Sequence, residues 1–307
     1  MRDKIIYIAG QDGMVGKEIY NLFKGKGLNV VDCSRKDLDL TSQLEVNNWF
    51  KKFKPNIVIN AAGKVGGILD NSLHKKDYIY INTMIGFNLL NASLSCNVKK
   101  FINLGSACIY PKKTKQPIKE ESILSSRLEE SNEGYAISKI SVLKFCEYIK
   151  NELKKNFITL QPTNLYGEGD NFDLKSCHVI PALIRKFHQA KLNKNTSVEV
   201  WGSGKAKREF MHISDLADAV YFCLNNKITH SYVNVSSGDY LSIKNLAKLI
   251  KNITGYNGKI YFNEKYPDGV MERRLSNDRL KKLGWRSKVL LKDGIKSYYD
   301  YFKTLSL

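Results

Sequence analysis

The chain has 307 residues, 43% of them hydrophobic and 26% charged, a balance that fits a soluble globular protein with one large core or two smaller ones and excludes a disordered one. Apolar runs such as "NIVINAAG" fall far short of the ~20 residues a membrane-spanning helix needs. The net charge of +19 would suit an anionic ligand, but lysines are spread along the chain in short clusters (Lys51–Lys54, Lys112–Lys115, Lys150–Lys155), so compositional bias accounts for them better than a nucleic-acid surface.

The start, "MRDKIIYIAG", lacks a long apolar core and a cleavage site, and reads as a first strand and not a signal peptide. Six cysteines (Cys33, Cys96, Cys108, Cys146, Cys177, Cys223) show no C-x-x-C spacing. Reduced thiols, a cytoplasmic location and no zinc or other metal are therefore expected.

In chain order, "KIIYIAG" is a short apolar run ending on glycine, and "MVGKEIYNLFKGKG" has apolar residues at helical spacing, closing on Gly25 and Gly27. "LNVVDCS", "NIVINAAG", "FINLGSA" and "FITLQPTNLYG" are four further strands, with helices around Gln43–Lys54, Thr83–Ser95 and Tyr135–Lys154. Fully apolar strands alternating with helices predict the α/β class, a doubly wound Rossmann parallel sheet covered on both faces. Beyond about Gly167 the pattern loosens. "VIPALIRKFHQAK" and "SIKNLAKLIKNITG" are helical, and "VEVWGSGKAKREFMHISDLADAVYFCLNN" reads as strand, polar turn and helix. The expected organisation is a cofactor domain over residues 1–166, rejoined by a segment at about 209–237, and a smaller interleaved substrate domain from 167–208 and 238–307.

"GQDGMVG" places Gly10, Gly13 and Gly16 between the first strand and the first helix. Glycine lets the backbone approach a pyrophosphate, and a helix N-terminus offers free N–H groups. "EGYAISK" puts Tyr135 and Lys139 four apart on one helix face. A lysine there favours the phenolate of a tyrosine whose free pKa of ~10 is otherwise too high for neutral-pH acid–base work. Ser106, at the end of the fourth strand, completes a hydride-transfer site in which it hydrogen-bonds the carbonyl being reduced.

The G-x-x-G-x-x-G spacing resembles the short-chain dehydrogenase/reductase superfamily. There the residue ending the second strand selects the cofactor, and Ser34 followed by Arg35 and Lys36 favours NADP(H), although Asp12 in the glycine loop would repel a 2′-phosphate. "AAGKVGGI", "NLGSACIYP", "NEGYAISKI", "NLYGEGDNF", "HVIPALIRKFHQAK" and "VWGSGKAKREFMHISDLADA" together resemble the GDP-L-fucose synthase family over most of the chain. That resemblance implies a GDP-linked 4-keto-6-deoxy sugar as substrate, epimerised at C3 and C5 and then reduced at C4 by NADPH. It implies Cys108 as the group removing a proton and His178 as the one returning it. Taken singly, Cys108 would read as a small buried hydrophobe and His178 as a hydrogen-bonded helix-start residue.

By the same resemblance Met14, Val15, Asp39, Leu40, Ala61, Ala62, Gly63, Asn164 and Leu165 line the cofactor, and Lys186, Trp201 and Arg208 contact the GDP portion. Trp201 could equally be a plain strand aromatic. A homodimer through a four-helix bundle that includes the Tyr135 helix is also implied. Three departures stand out: Ala107 where a second serine is usual, Asp12 where a cation is expected, and "VMERRLSN" in place of a "PRKLLD"-like stretch. A GDP-4-keto-6-deoxy-heptose reductase with little or no epimerase activity is the alternative they leave open.

Overall fold

The computed structural model describes residues 3–305. It opens with β1 (Ile6–Ala9) and α1 (Met14–Gly25), then β2 (Val30–Val31), α2 (Gln43–Phe53), β3 (Ile57–Asn60), α3 (Ile68–Leu73), α4 (Lys75–Ser95), β4 (Lys100–Leu104), α5 (Glu133–Leu153) and β5 (Asn156–Pro162). The second half holds β6 (Asn164–Tyr166), α6 (Val179–Leu192), β7 (Ser197–Trp201), β8 (Lys207–His212), α7 (Ile213–Asn225) and β9 (Tyr232–Val235). It ends with β10 (Tyr240–Ser242), α8 (Ile243–Thr254), β11 (Lys259–Asn263), β12 (Glu272–Arg273), α9 (Asp278–Lys282) and α10 (Leu291–Phe302).

Six strands pair in parallel in the order β2-β1-β3-β4-β5-β9. Their residues are β-branched or otherwise apolar because helices cover both faces. α1 and α7 bury Ile19, Phe23, Leu216 and Val220 against one face; α2, α4 and α5 bury Phe50, Leu89, Leu90 and Val142 against the other. The chain leaves β1 for β2 on one side and returns to β3 on the other. A crevice therefore opens above the C-terminal ends of β1 and β3, the place where such sheets bind ligands.

A second core gathers Phe187, Leu246, Ile250 and Tyr298 from α6, α8 and α10. It backs a small sheet centred on β8, which pairs with β6 and β12 in parallel and with β10 antiparallel; β7 and β11 form a separate parallel pair. Leu280 of α9 and Trp285, though late in the chain, pack into the first core. Among the described residues no helix is long and apolar enough to cross a membrane.

The strand expected over "FITLQPTNLYG" breaks at Thr163 into β5 and β6, which join different sheets, and α3, β9, β10, β11, β12, α9 and α10 were not expected; two further elements differ in extent or kind. α4 begins at Lys75, not Thr83, because buried Asn82 donates to the carbonyls of Tyr78 (2.9 Å) and Lys64 (3.1 Å) and draws the preceding turn into the helix. "KREFMH", expected as part of a polar turn, is β8. Its charges hide the strand pattern because Glu209 is fully buried, accepting N–H bonds from Gly238 (2.7 Å) and Leu275 (3.0 Å).

Candidate active site

At the switch point the backbone itself forms a cradle. Gly10 has φ +81°, and a Cβ there would lie 2.8 Å from the backbone of Ala62; one on Gly16 would lie 2.0 Å from the Gly10 carbonyl oxygen. Only glycine lets the loop fold onto Ala61–Ala62 this tightly. Gly13 caps α1 without any side-chain bond, and no acidic residue stands in the first turn, so the helix start at Met14 and Val15 offers its N–H groups to an anion. This cradle fits the pyrophosphate of a dinucleotide.

Beyond the end of β2, Ser34 forms a turn in which its N–H donates to Asp37 (2.7 Å) and its hydroxyl accepts from the Lys36 N–H (3.2 Å). Arg35 and Lys36 are exposed. Asp12 accepts the backbone N–H of Arg35 at 3.0 Å, so its carboxylate pins the Arg35 turn to the glycine loop. Asp39 caps its own turn through Thr41, and Leu40 is half-buried against the second helix layer. Gly63 lies under Lys139, whose Nζ would be 3.5 Å from a Cβ placed there. Asn164 is exposed and donates to the Glu209 carbonyl (2.9 Å), while Leu165 packs against the first core.

Four side chains meet at the end of β4. A Cβ on Gly105 would sit 2.0 Å from Gln161 Oε1, so any larger residue would displace that amide. That amide instead accepts the Ser106 N–H at 2.7 Å, and the Ser106 hydroxyl accepts the Cys108 N–H at 3.2 Å, opening a single helical turn over Ala107–Ile109. The Ser106 hydroxyl and Cys108 both lie close enough to Tyr135 to act on its phenol. Lys139 donates to the Leu104 carbonyl (3.0 Å), with Nζ 5.7 Å from the Tyr135 ring centre.

Burial lowers the Lys139 ammonium to about 8. Burial also pushes the Tyr135 phenol well above its usual value, with the charge of Cys108 adding to the rise and the Ser106 hydroxyl opposing it. The expectation that Lys139 favours the phenolate is therefore outweighed by desolvation. Tyr135 is held as a proton donor, the state that reduction of a ketone requires.

His178 precedes α6 with extended backbone and no side-chain cap bond, so its imidazole is not occupied as a helix-start group. The Gly67 N–H, donated to the Ser176 carbonyl (2.9 Å), brings the loop before α3 alongside it. Cys177 is half-buried, its thiol pushed up to about 11 chiefly by desolvation. All six cysteines are free.

Arg208 projects from β8 and donates to the Asp268 carbonyl (3.2 Å); burial lowers it to about 10, with the Arg273 guanidinium adding to the effect. Lys186 lies 5.2 Å from the Trp201 ring and donates to the Glu199 carbonyl (3.1 Å).

Sequence reasoning missed three residues. Tyr266 stacks on Trp201 with centroids 4.3 Å apart and planes 13° apart. Arg273, buried, donates to the carbonyls of Ala107 (3.0 Å) and Tyr110 (3.4 Å), so the divergent "VMERRLSN" stretch clamps the Ser106–Tyr110 turn. Asp170 stands behind His178. Only Asp170, following Gly169 in "GEGDN", carried a readable signal; Tyr266 lies on a loop and Arg273 on the two-residue β12, neither within a motif.

Parallel sheet, glycine cradle and Ser-Tyr-Lys group define a nucleotide-dependent short-chain oxidoreductase or epimerase. Residues 6–236 match the NAD dependent epimerase/dehydratase family, to which the chain belongs. It is 42% identical over 299 residues to a GDP-L-fucose synthase of Sinorhizobium fredii (strain NBRC 101917 / NGR234), spanning 97% of this chain and 95% of the relative. Among solved structures it resembles a GDP-6-OMe-4-keto-L-xylo-heptose reductase from C. jejuni, at TM-score 0.93 and 35% identity over 99% of both chains. It also resembles a GDP-mannoheptose C4 reductase from Campylobacter jejuni with NADP bound, at TM-score 0.90 and 35% identity over 99% of both chains.

Proposed function

We propose that the protein reduces the C4 ketone of a GDP-4-keto-6-deoxy sugar with NADPH, after inverting C3 and C5. The observation that carries the reading is the meeting of Ser106, Cys108, Tyr135 and Lys139 at the end of β4, beside the glycine cradle. NADP(H), whose 2′-phosphate would face Arg35 and Lys36, supplies the hydride for C4. Ser106 donates a hydrogen bond to the C4 oxygen, Tyr135 gives that oxygen its proton, and Lys139 holds the ribose and the local positive charge.

In the preceding step the ketone makes the hydrogens on its neighbouring carbons acidic. Cys108 as thiolate takes one of them, and His178 returns a proton from the opposite face; both groups then exchange protons with water to reset. Lys186, Trp201 and Arg208 suit the GDP portion, cations for the diphosphate and an indole for the flat base.

The second reading, reduction of a GDP-4-keto-6-deoxy-heptose with little or no epimerisation, is favoured by the likeness to the two heptose reductases and by the departure at Ala107. Incubating the enzyme with NADPH and each keto-sugar nucleotide in deuterated water separates the two. Deuterium at C3 and C5 of the product supports the first reading; reduction without it establishes the second. No NADPH oxidation with either sugar would sink both.

The same reading includes a homodimer through α4 and α5, which expose Tyr80, Ile137 and Tyr148. Light scattering should give about 70 kDa, twice the 35.0 kDa chain; a monomer at micromolar concentration would refute it.

A further inference from the structure

The proton chemistry assigned to His178 leaves one neighbouring group unused. Asp170 lies in the loop after β6, its side chain only 6% exposed, with Oδ1 3.9 Å from Nδ1 of His178. The imidazole is 46% exposed and makes no bond to the helix it precedes. Oδ1 of Asp170 also accepts the Asn171 N–H (2.8 Å), but Oδ2 is shut away from solvent with no donor among the described residues. A bare carboxylate oxygen in the interior is costly and is retained where a donor arrives or a function needs it.

Its surroundings hold it in place. Asn171 donates from its amide to the Ser176 hydroxyl (2.8 Å) and accepts the Asp173 N–H (2.8 Å), while the Cys177 N–H donates to the Asp173 carbonyl (2.8 Å). Phe172 stacks on Tyr298 at 5.3 Å. One self-bonded turn therefore delivers Asp170 and His178 together. The buried Tyr298 hydroxyl, also without a partner, senses the same carboxylate: desolvation pushes its phenol up and the charge of Asp170 adds to that.

We propose that Asp170 is the positioning residue for His178. The carboxylate takes the Nδ1–H, which turns Nε2 toward the substrate. A small rotation of the half-exposed ring closes the gap, as acid–base pairs commonly do on engaging substrate. When the imidazolium gives its Nε2 proton to the enolate carbon, the enolate electron pair becomes the new C–H bond. The proton that remains is on Nδ1, and this is the tautomer Asp170 holds. Without the carboxylate, the neutral ring would favour the other tautomer or rotate, and proton return would slow while hydride transfer at Tyr135 would not.

The inference rests on reading His178 as the acid for C3 and C5, so its test has one arm that needs no substrate. The chain has five histidines, and nitrogen-15 spectra of the full-length protein, with His178 assigned through His178→Gln, report the tautomer of its neutral ring. Wild type should show the proton on Nδ1, and Asp170→Asn should shift it toward Nε2. An unchanged tautomer in Asp170→Asn overturns the proposal.

In the second arm, deuterium entry at C3 and C5 should fall on the order of 10²-fold in Asp170→Asn, while C4 reduction, assayed on the already inverted 4-keto sugar that needs no proton return, stays within about threefold. Asp170→Glu should recover part of the exchange. Equal loss of exchange and reduction would mark Asp170 as merely structural and overturn the proposal. If wild type itself exchanges no deuterium, the epimerase reading fails, and the tautomer arm alone decides the role of Asp170.

Discussion

On the cofactor side of the cleft the contact surface is backbone: Gly10 and Gly16 leave no room for a Cβ, and α1 begins with uncapped N–H groups. On the side proposed for the substrate it is side chain: Arg208 from β8, Lys186 from α6, Trp201 from β7 and Tyr266 from a loop, with Arg273 of β12 bracing the turn behind them. Backbone geometry is set by local sequence within one turn. A side-chain wall depends on four or five segments that only the tertiary fold assembles. The first can stay fixed while the second changes, which is how one scaffold takes different sugars on a common hydride chemistry.

The sharpest way to break this contrast is Gly16→Ala. Its Cβ would overlap the Gly10 carbonyl at 2.0 Å, and both partners are backbone, so nothing can give cheaply. NADPH affinity should fall ~10²-fold or more, corresponding to about 3 kcal/mol, as read by fluorescence titration. A normal Kd would mean the loop is not the cradle.

Arg273→Met should act on the other side. It removes the donors to the Ala107 and Tyr110 carbonyls and loosens the turn bearing Cys108. Unpaired buried carbonyls cost about 1–3 kcal/mol, so kcat/KM for the keto sugar should drop roughly 5- to 150-fold. NADPH affinity should hold within twofold; an equal loss on both sides would refute the independence of the halves.

This division also explains what could be read from the chain. Five of the six parallel strands, α1 with its glycine turn, and the Ser106–Tyr135–Lys139 group all follow from short-range patterns: apolar runs, glycine spacing and a four-residue helical repeat; the sixth strand, β9 (Tyr232–Val235), is only four residues long and was not assigned. β8 escaped because a buried Glu209 and a half-buried Arg208 break the apolar alternation that marks strands. The structural partner of Asp12 escaped for the same reason. Its sequence neighbours suggested a charge facing a phosphate, and could not show that the same carboxylate also accepts the Arg35 N–H, 23 residues away. Arg273 meets Ala107 across 166 residues, a separation that no local pattern encodes.

Lys139 sits on the border between the halves, and its titration sharpens the comparison. With the ammonium at about 8, the charged form dominates below that pH and is lost above it. Reduction should therefore decline through pH 8 and fall roughly tenfold per further unit. Stability moves the other way. An unfolded lysine titrates near ~10.4, so between about 8 and 10 the unfolded chain binds more protons, and this group's contribution to stability rises with pH. Melting temperatures of wild type and Lys139→Met, compared at pH 7.5 and 9.5, cancel the other titrating groups. The difference should move in favour of wild type at the higher pH while its activity falls. A parallel decline of both would indicate unfolding instead of loss of the ammonium.

The smallest expected effect is at Tyr266, and it decides whether the outer wall recognises anything. Trp201 and Tyr266 stack nearly parallel at 4.3 Å, with Lys186 Nζ 5.2 Å from the indole ring centre and the Trp201 Nε1–H donated to Glu199 (3.2 Å). Both rings are partly exposed, at 46% and 39%, so the stack gains little from burial alone and is worth about 1 kcal/mol. If the pair serves only to stiffen β7, Tyr266→Ala should lower the melting temperature slightly and leave KM untouched. If it presents the indole to a flat base, the same change frees Trp201 to swing, and KM for the GDP-sugar should rise about fivefold with kcat and NADPH affinity unchanged. Tyr266→Phe should restore KM in that case, because the ring and not the hydroxyl makes the stack.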